Sequence, residues 1–500
     1  MNSNEPSFET LRPLLDKLNS GKLNETFSIS SQLVIDFPKS SILFNIIGAC
    51  CSGLMKHDDA IVSYKKAIEN NPQYADSYYN LGNQLKVLEN LDDAIYYYKK
   101  AIEINPNYVN AYNNLGNAYI EQGKLDAAID IFKQTLSINP DNASTYNNLG
   151  NAFISNGDLD KAIKNYKKAI EINANDANAF NNLGIALSNK NSVDDAIDCY
   201  KRAIEINPNF KKAQLNLIGL LSTYAPINDR KNTIVLANEL IRNCYLDDDH
   251  SGLITDEKVV SIFSKFKSYV GELHLSLSTN YNQAYRRSTT YLNCKRHKSI
   301  FNEFEVIPEF CFGCYKVQVE PKSLINLIKL LIVFDQLTLD NNNTRKCLIE
   351  LRPEVSGFYK GLIYCSGLEE ANEIAKHLNK VILNQIDPKL SCSIKRGCSE
   401  FYTSFPEYQE INNFGPQKMN HNEEWREIEE NHDKNKTFLA EKIRRQSISG
   451  LNLNDFLIIQ RWIDYAKGIG DPTVNLFKQN SVIYKKVYEM GKNRLNNYKL

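Results

Sequence analysis

A period of 34 residues governs the first half of the chain: aligned on a Leu-Gly position, units begin at Ser41, Ala75, Val109, Ala143 and Ala177. In the unit at Ala75 the recurring residues are Tyr78, Leu81, Gly82, Leu85, Ala94, Tyr98, Ala101 and Pro106. The unit at Ala177 repeats them as Phe180, Leu183, Gly184, Leu187, Ala196, Tyr200, Ala203 and Pro208. A helix pair of this size cannot bury its apolar face alone, so the units must stack, and the expected fold is an α-solenoid coiled into a superhelix. Gly82 and Ala94 are small enough for the two helices of a unit to approach closely. Tyr98 and Tyr78 fill the space between neighbouring helices, and Pro106 ends the second one. Residues 7–40 have the right length but carry Pro13-Leu14 at the Leu-Gly position, which reads as a degenerate, capping repeat. Residues 41–210 hold the five full units, and residues 211–221 read as the start of a closing helix.

This pattern resembles the tetratricopeptide repeat family, whose small and large apolar residues fall at these offsets. At helical spacing, offsets 4, 7, 8 and 11 of each first helix form the packing stripe, and offsets 2, 6, 9 and 13 face away from it. Offset 6 carries Asn80, Asn114, Asn148 and Asn182; offset 9 carries Asn83, Asn117 and Asn151. An asparagine side chain offers both donor and acceptor, so a row of them can grip an extended peptide by its backbone, whatever its sequence. The row is similar to the asparagine ladder in the repeat superhelix of O-linked N-acetylglucosamine transferases. That resemblance implies a protein or peptide partner in the groove. It covers the repeats alone, and nothing after them resembles a glycosyltransferase catalytic domain. Asparagine is also abundant throughout, at 61 of 500 residues, so composition alone is the competing explanation of the row.

Beyond residue 210 the period is lost. Residues 211–303 read as a helical connecting region, with breaks at Pro226 and at Asp247-Asp248-Asp249. Residues 304–400 then read as strand (315–321), helix (323–337), strand (346–352), turn (353–357), strand (358–365), helix (368–383) and strand (390–396). The βαββαβ order predicts an α+β ferredoxin-like domain with helical flanks and sheet order 4-1-3-2, every neighbouring pair antiparallel. Residues 401–500 read as a polar linker, in which Trp425 is the one large anchor, followed by C-terminal helices over 452–467 and 482–498.

The predicted topology places Cys311, Cys314, Cys347, Cys365 and Cys398 at one end of the sheet and Cys392 at the other. Upstream stand Cys294 and His297, giving C-x2-H and then, thirteen residues on, C-x2-C at Cys311 and Cys314. Two short chelating pairs of soft ligands suit a tetrahedral zinc ion, and an iron–sulfur cluster is the other metal chemistry open to these residues. Cys347, Cys365 and Cys398 extend the candidate ligand set. Buried, reduced cysteines acting as small core residues explain the same pattern. A third reading makes Cys398, which follows Lys395-Arg396, a nucleophilic thiol. Strand parity sends Val317 and Val319 toward the helices. It leaves Lys316, Gln318, Glu320, Glu350, Arg352, Lys360, Tyr364 and Lys395 on an open sheet face. Arg286-Arg287 and Lys295-Arg296-His297-Lys298 form a basic run, read as an exposed helix face or a patch for an acidic partner.

Lys plus Arg and Asp plus Glu both number 59, so the formal net charge is zero and a globally basic nucleic-acid binder is not expected. The most apolar stretch, residues 324–339, is too short to span a bilayer and is interrupted by Lys329 and Asp335, so no membrane partner is expected. Residues 1–20 show no basic start followed by an apolar run, and the eleven cysteines read as reduced thiols of a cytoplasmic protein. Phosphate-loop, zincin, nucleophile-elbow and dinucleotide glycine motifs are absent. The functional expectation is therefore an interaction protein. The alternatives are an enzyme acting on a chain recruited by the repeats, and a metal-binding sensor.

Overall fold

The computed structural model describes residues 4–225, 232–286, 294–352, 355–398, 401, 404–412, 416–435, 447–478 and 482–498. Pro226, Arg287 and the first residues of the 353–357 turn lie outside them. The chain forms two compact units, Met1–Asn207 and Pro208–Leu500.

In the first unit helices pair along the chain. A capping pair, α1 (Phe8–Asn19) and α2 (Leu23–Asp36), is followed by α3 (Ser41–Gly53) with α4 (His57–Asn70) and α5 (Ala75–Val87) with α6 (Leu91–Ile104). Then come α7 (Val109–Glu121) with α8 (Leu125–Ile138), α9 (Ala143–Ser155) with α10 (Leu159–Ile172), and α11 (Ala177–Asn189) with α12 (Val193–Ile206). Each of the five pairs after the capping pair is held by a glycine against an aromatic ring. A Cβ on Gly82 would lie 2.7 Å from the Tyr98 ring, and one on Gly116 would lie 2.5 Å from the Phe132 ring. Only the missing Cβ lets the ring seat there, which is why the period fixes these residues. Leu11 and Leu14 of α1 pack with Leu43, Ile46 and Cys50 of α3. The Glu5 carboxylate accepts bonds from the Ser41 backbone N–H (2.8 Å) and hydroxyl (2.6 Å) at the start of that helix.

The second unit opens with α13 (Lys211–Leu221), α14 (Thr233–Leu246) and α15 (Asp256–Glu272), then β1 (Gln283–Arg286), α16 (Cys294–Phe304) and α17 (Glu309–Phe312). Next follow β2 (Tyr315–Val319), α18 (Leu324–Gln336), β3 (Arg345–Ile349), β4 (Tyr359–Cys365), α19 (Leu368–Gln385) and β5 (Cys392–Arg396). Helices α20 (Glu423–Asn435), α21 (Leu453–Ile469) and α22 (Lys485–Tyr498) complete it. The sheet order is β1-β3-β4-β2-β5, with every pair antiparallel. Val317, Val319 and Ile363 are fully buried on the face that packs against α18 and α19.

Three expectations are corrected here. Residues 211–303 are not all helical, because β1 pairs with β3 from Gln283↔Leu348 to Arg286↔Arg345. Four residues with a charged inward position give no alternation to read. The helix at Lys211, expected to start the closing helix of the array, falls in the second unit, where it packs on α14 and α21. The C-terminal stretch supplies a central helix as well as flanks. Helix α21 packs against α14, α18 and β1, and Trp462, Phe456 and Ile463 on it are fully buried. A capping box at Asn452 and Asp455 starts α21, and Gly470 in the left-handed conformation ends it.

The inward charge on β1 is Arg286, 1% exposed and held between two carboxylates. Its guanidinium lies 3.0 Å from Asp335 of α18 and 2.7 Å from Asp455 of α21. The edge strand and two helices from distant parts of the chain are thus tied at one buried point. Arg286, one residue of the expected basic patch, is spent inside the fold in this way. Arg296 also has partners, meeting Glu429 and Asp433 of α20, each at 2.6 Å.

Candidate functional site

Two groups of residues stand out, one in each unit. In the first, the asparagines lie half-buried along the first helices α5, α7, α9 and α11, which neighbour one another from repeat to repeat. Bonds run between them across the repeats. Asn80 Nδ2 donates to Asn45 Oδ1 (3.1 Å), and Asn114 Nδ2 to Asn83 Oδ1 (2.7 Å). Asn182 Nδ2 donates to Asn151 Oδ1 (3.3 Å) and to Asn147 Oδ1 (3.1 Å). Tyrosine hydroxyls of the second helices hold the acceptors: Tyr98 donates to Asn83 Oδ1 (2.9 Å) and Tyr166 to Asn151 Oδ1 (2.7 Å). Part of the row is therefore an internal brace between repeats. Asn117 and Asn148 differ: among the described residues their side chains form no hydrogen bond within the chain.

In the second unit, one pocket is lined by Cys294, His297, Cys311, Cys314, Cys398 and Lys316, among others. Cys294 and His297 arrive on α16, Cys311 and Cys314 bracket the end of α17, and Cys398 follows β5. Cys347 and Cys365 do not join them. Both are buried on the opposite, helix-packed face of the sheet, Cys347 in register with Gly361, which lies against Leu330 of α18. Cys392 also lies on that face and donates to the Ala375 carbonyl of α19. Burial pushes the Cys294, Cys311 and Cys314 thiols up. His297 is pushed down to about 4 by burial and by the neighbouring Arg296 charge. Its ring stacks on Phe310 with centroids 5.2 Å apart. Cys311 also belongs to an apolar cluster with Ile307, Phe401 and Tyr408. Among the described residues, no three His, Cys, Asp or Glu side chains are drawn into metal-ligand geometry.

Lys316 is the residue that cysteine spacing does not reveal. It is 6% exposed and its ammonium donates to the Gly397 carbonyl (2.6 Å) and to Cys398 Sγ (3.4 Å). Among the described residues no carboxylate pairs with it. Burial opposes its charge, but the thiols of Cys398 and Cys314 outweigh that and hold it well above the usual lysine value. Parity assigned Lys316, Tyr364 and Lys360 to the correct sheet face, yet the face is not open. Lys316 and Lys360 are buried, and so are Tyr364 and, beside them, Glu350. The segments carrying Cys294 and Cys398 fold over Lys316. Lys360 and Arg352 pair with Glu350, at 3.8 and 2.9 Å.

Family models for the TPR repeat match residues 56–86, 116–157 and 150–191. Models for the tetratricopeptide repeat match residues 97–130, 75–108 and 177–210. Residues 56–210 are a tetratricopeptide-repeat array.

Several solved structures are similar to part of the chain. MamA is 30% identical, with 32% of this chain and 95% of that one covered and a TM-score of 0.30. A thermophilic TPR protein of Thermus thermophilus is 22% identical over 36% of this chain and 99% of that one, with a TM-score of 0.33. The TPR protein YrrB is 21% identical over 37% and 95%, with a TM-score of 0.31. No curated protein matches the chain. Tetratricopeptide repeats are scaffolds for protein interaction, since stacked units present long, continuous faces. No helix among the described residues is long and apolar enough to cross a membrane.

Proposed function

We propose that the tetratricopeptide array holds an extended segment of a partner protein along the asparagine-bearing face of its first helices. The observation that carries this is the run of half-buried amides on α5, α7, α9 and α11, of which two have no partner among the described residues. A primary amide matches a peptide unit, donor to carbonyl and acceptor to N–H, so the face reads main chain more than side chains. The test is selection from a random peptide library on the full-length protein, followed by fluorescence anisotropy with a labelled selected peptide. Enrichment of peptides that compete with one another for a single site is expected. Failure to enrich any peptide, or enrichment unaffected by alanine at Asn80, Asn114, Asn117, Asn148 and Asn182 together, contradicts the reading.

For the second unit we propose a ferredoxin-like core, β2-α18-β3-β4-α19-β5, extended by β1 at its edge. Its pocket is proposed as a soft-metal site, with zinc drawing on Cys294, His297, Cys311 and Cys314, and Cys398 as an added donor. Support comes from the convergence of two chelating pairs, thirteen residues apart, on one pocket. Charge adds to it: zinc with three thiolates and a neutral imidazole carries one net negative charge, which the buried Lys316 ammonium offsets. Binding requires the thiol side chains to rotate inward and lose protons. Elemental analysis of protein purified without an affinity metal decides the matter. Near-stoichiometric zinc, lost in Cys311→Ser and Cys314→Ser, is expected; iron with visible absorption makes the site an iron–sulfur centre; a metal-free folded protein makes the thiols core residues.

A further inference from the structure

Two repeats share one bracing pattern, and the repeat that lies between them lacks it. In the unit at Ala75, the Tyr98 hydroxyl fixes Asn83 Oδ1, which also accepts Asn114 Nδ2 from the next repeat. In the unit at Ala143, the Tyr166 hydroxyl fixes Asn151 Oδ1, which also accepts Asn182 Nδ2. The unit at Val109 lies between them, and Asn117 on it and Asn148 of the next repeat stand at the corresponding places. Its ring, however, is Phe132. That ring packs as the tyrosines do, since a Cβ on Gly116 would lie 2.5 Å from it, as one on Gly150 would from the Tyr166 ring. Phenylalanine has no hydroxyl to orient Asn117, and the bond from Asn148 is absent with it.

We infer that Asn117 and Asn148 form the grip that fixes the register of a bound chain, by hydrogen bonding to one peptide unit of an extended segment. This rests on the proposal that the array binds such a segment. In the flanking repeats the same two positions are one hydrogen bond apart, so their amides face the same small space. These two amides are bonded to nothing among the described residues, so a ligand that supplies both a donor and an acceptor can satisfy them. The main chain of an extended peptide supplies both at every residue. The braced positions on either side hold their amides to one another and contribute less.

Phe132→Tyr tests this directly. It adds one hydroxyl at a place where tyrosine already packs in the sister repeats, so the fold is retained. The new hydroxyl should seat Asn117, draw in Asn148 and close the ladder. The probe is a fluorescein-labelled peptide selected by the wild-type full-length protein from a random library. Phe132→Tyr and the double variant Asn117→Ala/Asn148→Ala should each weaken its binding by about tenfold, the size of one or two hydrogen bonds. Tyr98→Phe, which copies the Phe132 pattern one repeat earlier, should leave affinity unchanged or raise it. Wild-type affinity in both Phe132→Tyr and the double alanine variant overturns the grip while leaving peptide binding by the array intact. Failure of the wild-type protein to select any peptide overturns the binding proposal itself.

Discussion

The two units solve the same burial problem with opposite kinds of contact. In the array each helix meets its partner and the helices of adjacent repeats, and the core is made of alanines, leucines, isoleucines and aromatic rings. In the second unit the sheet joins strands far apart in sequence. Its interior holds charge: Arg286 and Arg345 are at most 1% exposed, and Lys316 is 6% exposed. Arg345 meets this by donating to the carbonyls of Phe334 (2.9 Å) and Leu337 at the end of α18. The array carries its asparagines half-buried along its first helices. The second unit keeps its chemistry in a buried pocket, where a lysine and several thiols share a small volume.

The sharpest way to break that contrast is Arg286→Met. It leaves Asp335 and Asp455 buried without their shared cation, a loss expected to destabilise the second unit by about 3–5 kcal/mol. Urea denaturation followed by amide exchange should show this unit opening early while residues 8–206 keep their protection. Equal loss of protection in the array would show that the two do not fold separately. Next in size is Gly150→Ala, whose Cβ would lie 2.5 Å from the Tyr166 ring. Overpacking there should cost about 1–3 kcal/mol, with faster exchange confined to α9, α10 and the repeats beside them. Loss of protection over the whole array would show longer cooperativity than neighbour contacts give.

The smallest expected effect is at Glu370, in the first turn of α19. Burial raises its carboxyl, but donors from Asn341, Asn343 and Ser366 outweigh that and hold it below the ordinary value of 4.5. Its stabilisation is therefore present above that value and fades as pH falls through the lowered folded-state value. Glu370→Gln should cost under about 1 kcal/mol at neutral pH, since the site is partly open to solvent. The difference from wild type should shrink in acid, read from urea midpoints over a pH series. A constant difference would show that the negative charge of Glu370 is not what these donors hold.

The same contrast explains what could be read in advance. A 34-residue period repeats one local solution, so its glycines, aromatic rings and asparagine positions are visible residue by residue. The brace was hidden because it depends on the Tyr98 and Tyr166 hydroxyls, which the pattern treats as apolar bulk; Phe132 in their place was the available signal. In the second unit, alternation located β2, β4 and β5 because Val317, Ile363 and their neighbours face a helix layer. It missed β1, where Arg286 points inward, and mistook a covered sheet face for an open one. The cysteine spacing located four residues of the pocket together with Cys398. Cys365 shares that end of the sheet but its parity turns it to the other face, whereas Cys347, expected at the same end, lies level with Val319 and Cys392 at the opposite one. Lys316 was visible only as a polar residue on a strand; its role needs the fold.

Hydrogen exchange of the full-length protein, with and without the selected peptide, tests most directly where a partner is held. Slower exchange is expected in α7 and α9, which carry Asn117 and Asn148, with no change across Pro208–Leu500. Protection confined to the second unit, with the repeats unchanged, would contradict the account.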